Sequence, residues 1–343
     1  MKAAVMYGKN DIRLEEVPDP CPGPGEVVLR VRAAGISADD IKSLLGQGAP
    51  RRLPQILGHE VAGEIAAVGK HAAGFESGQR VVVFPYAFCG RCDYCLQGRQ
   101  NLCSQRFGLA DGITGGFAEY VLIPRQIVAH GGILPIPEHL SFEAAALTEP
   151  LSCCVAAART NRVAPGARVV VVGSGPMGLL HLKVNKEKGA QVIMIDKLAR
   201  RLNYAAQMGA DEVIDAGRVD PVKEVKKITR GDGAEVVIIA LGIPEVIEAS
   251  LPMVRKGGIL NIFGGPAAGF IQLDPARIRN EEIVITGNFA STPADFEAAL
   301  KLLGEGRIVV DDLISDRFHL DQVQDAISRA KQQDMLKGVF VLP

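Results

Sequence analysis

The 343-residue sequence carries 38 basic and 39 acidic side chains, a formal net charge of −1, with 48% apolar and 22% charged residues. This composition can fill two cores of ordinary size, and it supplies no broad positive field for a nucleic acid or an anionic membrane, so a small molecule is the expected partner. With no run of 18 uninterrupted apolar residues and no basic-then-apolar leader, neither a membrane span nor a secretory signal is expected, and a soluble cytoplasmic protein is.

From the N-terminus to about Pro137, short alternating segments are separated by Gly and Pro: VVLRVRAAGI (27–36), EVAGEIAAVG (60–69), QRVVVFPY (79–86) and GGFAEYVLIP (115–124). A period of two with turn residues between predicts an irregular β-barrel or sandwich. Beyond the helix-like SFEAAALTEPLSCCVAAAR the texture changes to apolar runs at 168–173, 191–196, 211–215, 234–240, 257–264 and 282–289. Helix-compatible stretches such as PMGLLHLKVNKEKG lie between most of them, which predicts a doubly wound parallel sheet of α/β class. The last 50 residues add two amphipathic helical stretches and a terminal strand, GVFVLP.

RVVVVGSGPMG sets Gly173, Gly175 and Gly178 as G-x-G-x-x-G between an apolar strand and a helix, and Asp196 ends the next strand 18 residues beyond Gly178. Strand, glycine turn, helix and acid together predict a dinucleotide site with the pyrophosphate at the helix N-terminus, where Pro176 and Met177 also lie. Asp196 favours NAD, because its carboxylate accepts from a ribose and repels a 2′-phosphate. Lys197, Arg200 and Arg201 are cations able to meet a phosphate, and Arg201 joins the candidate cofactor-binding set.

CGRCDYCLQGRQNLC places Cys89, Cys92, Cys95 and Cys103 within 15 residues in a stretch without regular apolar periodicity. Four thiolates match a closed tetrahedral zinc site that fastens a loop lacking a core, and such a site leaves no open position for chemistry. The compact spacing of the first three cysteines also matches an iron–sulfur run; the surroundings favour zinc.

These motifs occur in a familiar order: GEVVLRVRAAGI with a nearby Asp40, GHEVAGEIAAVG, the four cysteines, GGFAEY, EPL at 149–151 and VVVVGSGPMG. Over essentially its full length the chain resembles the zinc-containing medium-chain alcohol dehydrogenases, particularly the polyol (sorbitol) and threonine dehydrogenase branch. The resemblance implies a GroES-like catalytic domain over 1–150 with a zinc lobe at 85–105, a Rossmann NAD-binding domain over 151–289, and a segment 290–343 that completes the catalytic domain. It further implies a homodimer or homotetramer, one structural zinc, and one catalytic zinc at His59 and Glu60, with Glu149 ligating or approaching the metal. The implied reaction is zinc-dependent, NAD-linked oxidation of a secondary alcohol on a polyol, cyclitol or sugar, or the reverse reduction. A zinc-free reductase of quinone or enone substrates and a non-catalytic NAD-binding protein on the same fold are the alternatives.

One position departs from the family. In AGISADD, Ser37 stands where the family has a zinc-binding cysteine, which removes a soft ligand and one negative charge. If the segment is extended, residues 37 and 39 face the same way and Asp39 is a candidate replacement ligand or proton relay; Glu149 and water are the others. Asp39 and Asp40 are also cues for an amino-substituted substrate, and Arg51 and Arg52 for a phosphorylated one.

Overall fold

The alternating stretch VVLRVRAAG forms the strand Val27–Gly35, whose Val27, Leu29 and Val31 enter a core that Arg30 avoids. It pairs antiparallel with Glu60–Val68 on one side and Lys337–Val341 on the other. The sheet continues through Arg80–Val83 and Ile133–Pro135 at one end and Ile314–Phe318 at the other, and Tyr120–Ile123 also pairs with the central strand. Buried Phe117 and Phe340 meet edge to face with ring centroids 4.8 Å apart, tying the strand nearest the C-terminus to the core.

This computed structural model describes residues 1–47, 52–265, 269–332 and 335–343; Arg51 lies outside them, and Arg52 is exposed. The chain divides into two units, one of Met1–Ser152 with Ser291–Pro343 and one of Cys153–Ala290. Where the chain leaves and re-enters the first unit, the buried Ser152 hydroxyl donates to Ser291 Oγ at 2.7 Å.

The second unit is built on six parallel strands in the order Glu212–Asp215, Gln191–Asp196, Arg168–Val172, Ala234–Ile239, Val254–Ile262, Val284–Gly287. Counted along the chain this is 3-2-1-4-5-6, the doubly wound arrangement expected from the sequence. The inner strands are nearly uninterrupted apolar runs, as RVVVV and AEVVII show, because such a sheet is covered on both faces. Helices including Pro176–Glu187 and Ala199–Gln207 form the crossovers. Among the described residues no helix is long and apolar enough to cross a membrane.

Candidate active site and metal centres

The glycine turn of the second unit joins the end of Arg168–Val172 to the helix Pro176–Glu187. Gly173 adopts a φ of 102°, and a Cβ at Gly178 would stand 1.8 Å from the Gly173 carbonyl oxygen, so this tight return requires glycine at both positions. Gly175 is the N-cap and Pro176 opens the helix, where the missing proline N–H costs nothing and the N–H groups of Met177 and Gly178 belong to the unsatisfied first turn. Asp196 accepts from Ser174 N–H at 2.7 Å and Leu198 N–H at 2.9 Å, which fixes its carboxylate beside the loop. Arg201 brings Nη1 to 3.9 Å from that carboxylate and to 3.8 Å from the space a Cβ on Gly175 would fill. The site therefore presents a carboxylate and a guanidinium together, and the Ser174 hydroxyl is buried there with no hydrogen-bond partner.

In the first unit Cys89, Cys92, Cys95 and Cys103 bring their sulfurs within 4.8 Å of one another and form no disulfide. The Cys92–Cys95 and Cys89–Cys95 sulfurs lie 3.5 and 3.9 Å apart. Zn–S bonds of about 2.3 Å set tetrahedral sulfur edges of about 3.8 Å, so the four thiols fit that ion. Backbone N–H groups of Arg91 and Cys92 lower the Cys89 thiol to about 6, whereas burial pushes Cys95 up to about 12. The segment holds only the short helix Asp93–Leu96 and one 3-10 turn, with Leu96 73% exposed, so little apolar packing supports it.

A second cluster joins His59, Glu60 and Glu149, all buried, with ligand atoms within 4.8 Å of one another. Strand pairing builds it. Glu60 sits opposite Gly35, and Val339 pairs with Gly35 from the other side, so the strands carrying Glu60 and Lys337 flank the same glycine. A Cβ on Gly35 would come within 1.9 Å of Glu60 Oε2, so the carboxylate can lie there only over a glycine. Lys337, 5% exposed, donates to Glu60 Oε1 at 2.7 Å and to the Ile36 carbonyl at 2.9 Å. Glu60 Oε2 is 2.6 Å from the same nitrogen as an ion pair, yet it is buried and receives no hydrogen bond in suitable geometry. Glu149 enters from the first turn of the helix Thr148–Thr160, with Oε2 4.0 Å from His59 Nε2.

The residues before this cluster correct the expectation of an extended segment. Ser37 caps the helix Ala38–Leu44: its N–H and hydroxyl both donate to Asp40 Oδ2, at 2.9 and 2.6 Å, and its oxygen accepts from Asp40 N–H at 3.1 Å. Residue 39 lies in the first turn of this helix and Asp39 is exposed; it is near enough to act on His59 and Glu149 through its charge, but the converging ligand atoms are those of His59, Glu60 and Glu149. The fully buried acid is Asp40, which also accepts from Gly58 N–H at 3.1 Å and lies 4.0 Å from His59 Nδ1. Its carboxylate is engaged within the protein and unavailable to an amino-substituted substrate. The capping pattern was present in the sequence as Ser37 followed three residues later by the acid Asp40, with Ile41, Leu44 and Leu45 beyond it at helical spacing. Lys337 was missed altogether: the strand was expected from Gly338 and begins one residue earlier.

The cluster is short of positive charge. With Asp40, Glu60 and Glu149 ionised, Lys337 protonated and His59 neutral, the formal charge is −2, which one divalent cation balances. Protons take that role in its absence. Burial raises the Glu149 carboxyl to about 7 although His59 opposes the shift; burial lowers His59, but Glu149, Asp40, Glu60 and Asp39 outweigh it and hold the imidazole above its ordinary value. The N,O,O donor set, with a Glu60 Oε2 that is ion-paired to Lys337 but receives no hydrogen bond, fits a metal with an open position.

Comparison with known proteins agrees with this geometry. Residues 23–137 match the alcohol dehydrogenase GroES-like domain, and residues 176–305 match the zinc-binding dehydrogenase family. The chain is 36% identical to the sorbitol dehydrogenase of Bacillus subtilis strain 168 over 97% of its own length and 94% of the relative's. It is 34% identical to the D-arabitol-phosphate dehydrogenase of Enterococcus avium over 91% of this chain and 88% of that one. A solved structure from Sinorhizobium meliloti 1021, assigned as a zinc-binding dehydrogenase and bound to NADP, superposes with a TM-score of 0.92 at 30% identity, covering 99% of each chain. The chain belongs to the zinc-type medium-chain alcohol dehydrogenases, in the polyol and threonine dehydrogenase branch. Its fold is accordingly a GroES-like catalytic unit interrupted in sequence by a Rossmann unit, and its chemistry is the oxidation of an alcohol coupled to a nicotinamide dinucleotide.

Proposed function

We propose that this dehydrogenase oxidises a secondary alcohol on a polyol, cyclitol or sugar with NAD, or runs the reverse reduction, using a metal held by His59, Glu60 and Glu149. The observation that carries the proposal is the buried N,O,O cluster whose charge is balanced by one divalent cation and whose Glu60 Oε2 lacks a hydrogen bond. A zinc-free reductase has no need for three buried acids around a histidine. When bound, the metal supplies Lewis acidity toward the substrate hydroxyl, and the dinucleotide accepts the hydride. The protein's part is to orient: Asp40 steadies the Nδ1 side of His59, leaving Nε2 for the metal, and Lys337 and the Gly35 surface fix Glu60. The four-cysteine lobe holds a second, structural zinc.

Asp196 supports NAD, since a carboxylate at the end of the second strand of such a sheet accepts from an adenosine ribose, while the adjacent Arg201 is the feature that would admit a 2′-phosphate. Sorbitol and arabitol phosphate, the substrates in the names of two relatives, are the first compounds to test. A homodimer or homotetramer is the assembly suggested by the family resemblance, and the cytoplasm is the location expected from the composition.

The test is a screen of polyols, cyclitols, amino sugars and sugar phosphates for reduction of NAD and NADP by wild type and by two variants. His59→Ala should lower turnover by about a thousandfold or more, because several kcal/mol of Lewis-acid stabilisation is lost, with dinucleotide binding retained. Asp196→Ala should weaken NAD more than NADP. Undiminished turnover in His59→Ala would refute the metal-assisted mechanism, and a wild-type preference for NADP would move cofactor selection to Arg201.

A further inference from the structure

The buried acids around His59 are already engaged. Asp40 is held by Ser37 and the Gly58 N–H, Glu60 is held by Lys337, and Glu149 lies among the converging ligand atoms. Asp39 differs from all of them. It is the second residue of the helix Ala38–Leu44 and adjoins Asp40, whose Oδ1 stands 4.0 Å from His59 Nδ1. Its backbone carbonyl accepts from Ser43 Oγ at 2.7 Å, but among the described residues no hydrogen bond or ion pair engages its carboxylate. That carboxylate is exposed, and its charge acts on both His59 and Glu149.

One divalent ion brings Asp40, Glu60, Glu149 and Lys337 together to zero, so an ionised Asp39 leaves one negative charge on the open side of the cluster. Such a charge discriminates among partners. A hydroxyl donates one ordinary hydrogen bond to it, an ammonium donates a charge-assisted one, and a phosphate monoester is repelled.

Building on the metal-dependent function proposed above, we infer that Asp39 is a specificity-determining residue: it receives the ammonium group of an amino-substituted polyol or cyclitol, and the reaction site prefers that substrate to its hydroxyl and phosphate counterparts. The nitrogen takes no part in the bond changes. A secondary alcohol elsewhere on the same molecule loses a hydride to the dinucleotide and a proton to water, and becomes a ketone.

The experiment assays the full-length, zinc-loaded enzyme on matched compounds. Sorbitol is compared with glucamine and glucosaminitol, which carry an ammonium in place of one hydroxyl, scyllo-inositol with scyllo-inosamine, and arabitol with arabitol phosphate. At least one amine should exceed its hydroxyl counterpart in kcat/KM by about tenfold or more, and arabitol phosphate should fall below arabitol. The preference should shrink in high salt and disappear as the pH rises through the amine's own pKa, where the cation becomes neutral. Asp39→Asn should cut the amine-to-hydroxyl ratio by about tenfold or more, whereas Asp39→Glu should keep most of it. Calorimetric titration of the preferred amine into the enzyme with NADH should give the same order of affinities without turnover.

Equal kcat/KM for amines and their hydroxyl counterparts in wild type would overturn the inference while leaving the dehydrogenase function standing. So would an equal fall on both in Asp39→Asn, which would make the carboxylate a proton acceptor. Turnover of none of these compounds, together with no calorimetric binding of any amine, would overturn both the inference and the polyol dehydrogenase reading.

Discussion

The lobe around Cys89–Cys103 draws all its ligands from one short stretch and has almost no apolar packing beneath it, whereas the cluster around His59 is assembled from two strands and a helix on a finished sheet. In the first region a metal substitutes for a core. In the second the sheet exists already, and the metal answers a charge deficit that burial has created. Loss of the ion should therefore unfold the first region and merely protonate the second.

The largest expected effect lies in the lobe. Structural zinc is worth about 10 kcal/mol or more in small zinc domains, so Cys103→Ser should release one zinc per chain and open residues 89–103 to proteolysis, while the parallel sheet of the second unit keeps its dinucleotide affinity. Metal analysis and limited proteolysis check this, and a variant with full zinc content and unchanged melting would erase the contrast.

Lys337→Met should come next. Removing one partner of a buried ion pair costs about 3–5 kcal/mol because the other charge is left uncompensated, and here two further buried acids share the deficit. Denaturant midpoints should show that loss in the metal-free protein and a smaller one when a divalent ion is bound. Equal losses in both forms would mean that the metal and Lys337 do not share Glu60.

Ser37→Ala should have the smallest effect. Loss of an N-cap costs about 1 kcal/mol, and the number of metals per chain should not change. If the open site empties instead, Ser37 is a ligand, and the contrast between a sulfur site and a nitrogen–oxygen site needs redrawing.

What the sequence revealed follows from the same contrast. The cysteine lobe was legible because its ligands are neighbours along the chain, and the six-stranded sheet because runs such as RVVVV and QVIMID announce strands covered on both faces. His59, Glu60 and Glu149 are ordinary residues in their own neighbourhoods, and only the surrounding family pattern singled them out. Asp39 became a candidate ligand or relay on the assumption of an extended backbone, although the Ser37 to Asp40 spacing already signalled a helix start, with Asp40 as the buried acid of the capping box. Lys337 was illegible for a different reason. It lies 277 residues from Glu60, and a lysine at the head of a strand normally reaches solvent, so its burial depends wholly on strand order.

The hydrogen bond between Ser152 and Ser291 has a consequence for how the gene can be rearranged. To the sheet that holds the metal residues, everything from 153 to 290 is one excursion whose two ends are fixed side by side. The entropy of closing such an excursion grows only logarithmically with its length, so insertions within it burden the host little. A few glycines joining Ser152 directly to Ser291 should leave a host chain with its strand order unbroken. The excised piece has both ends at one place on its surface and is a natural subject for circular permutation.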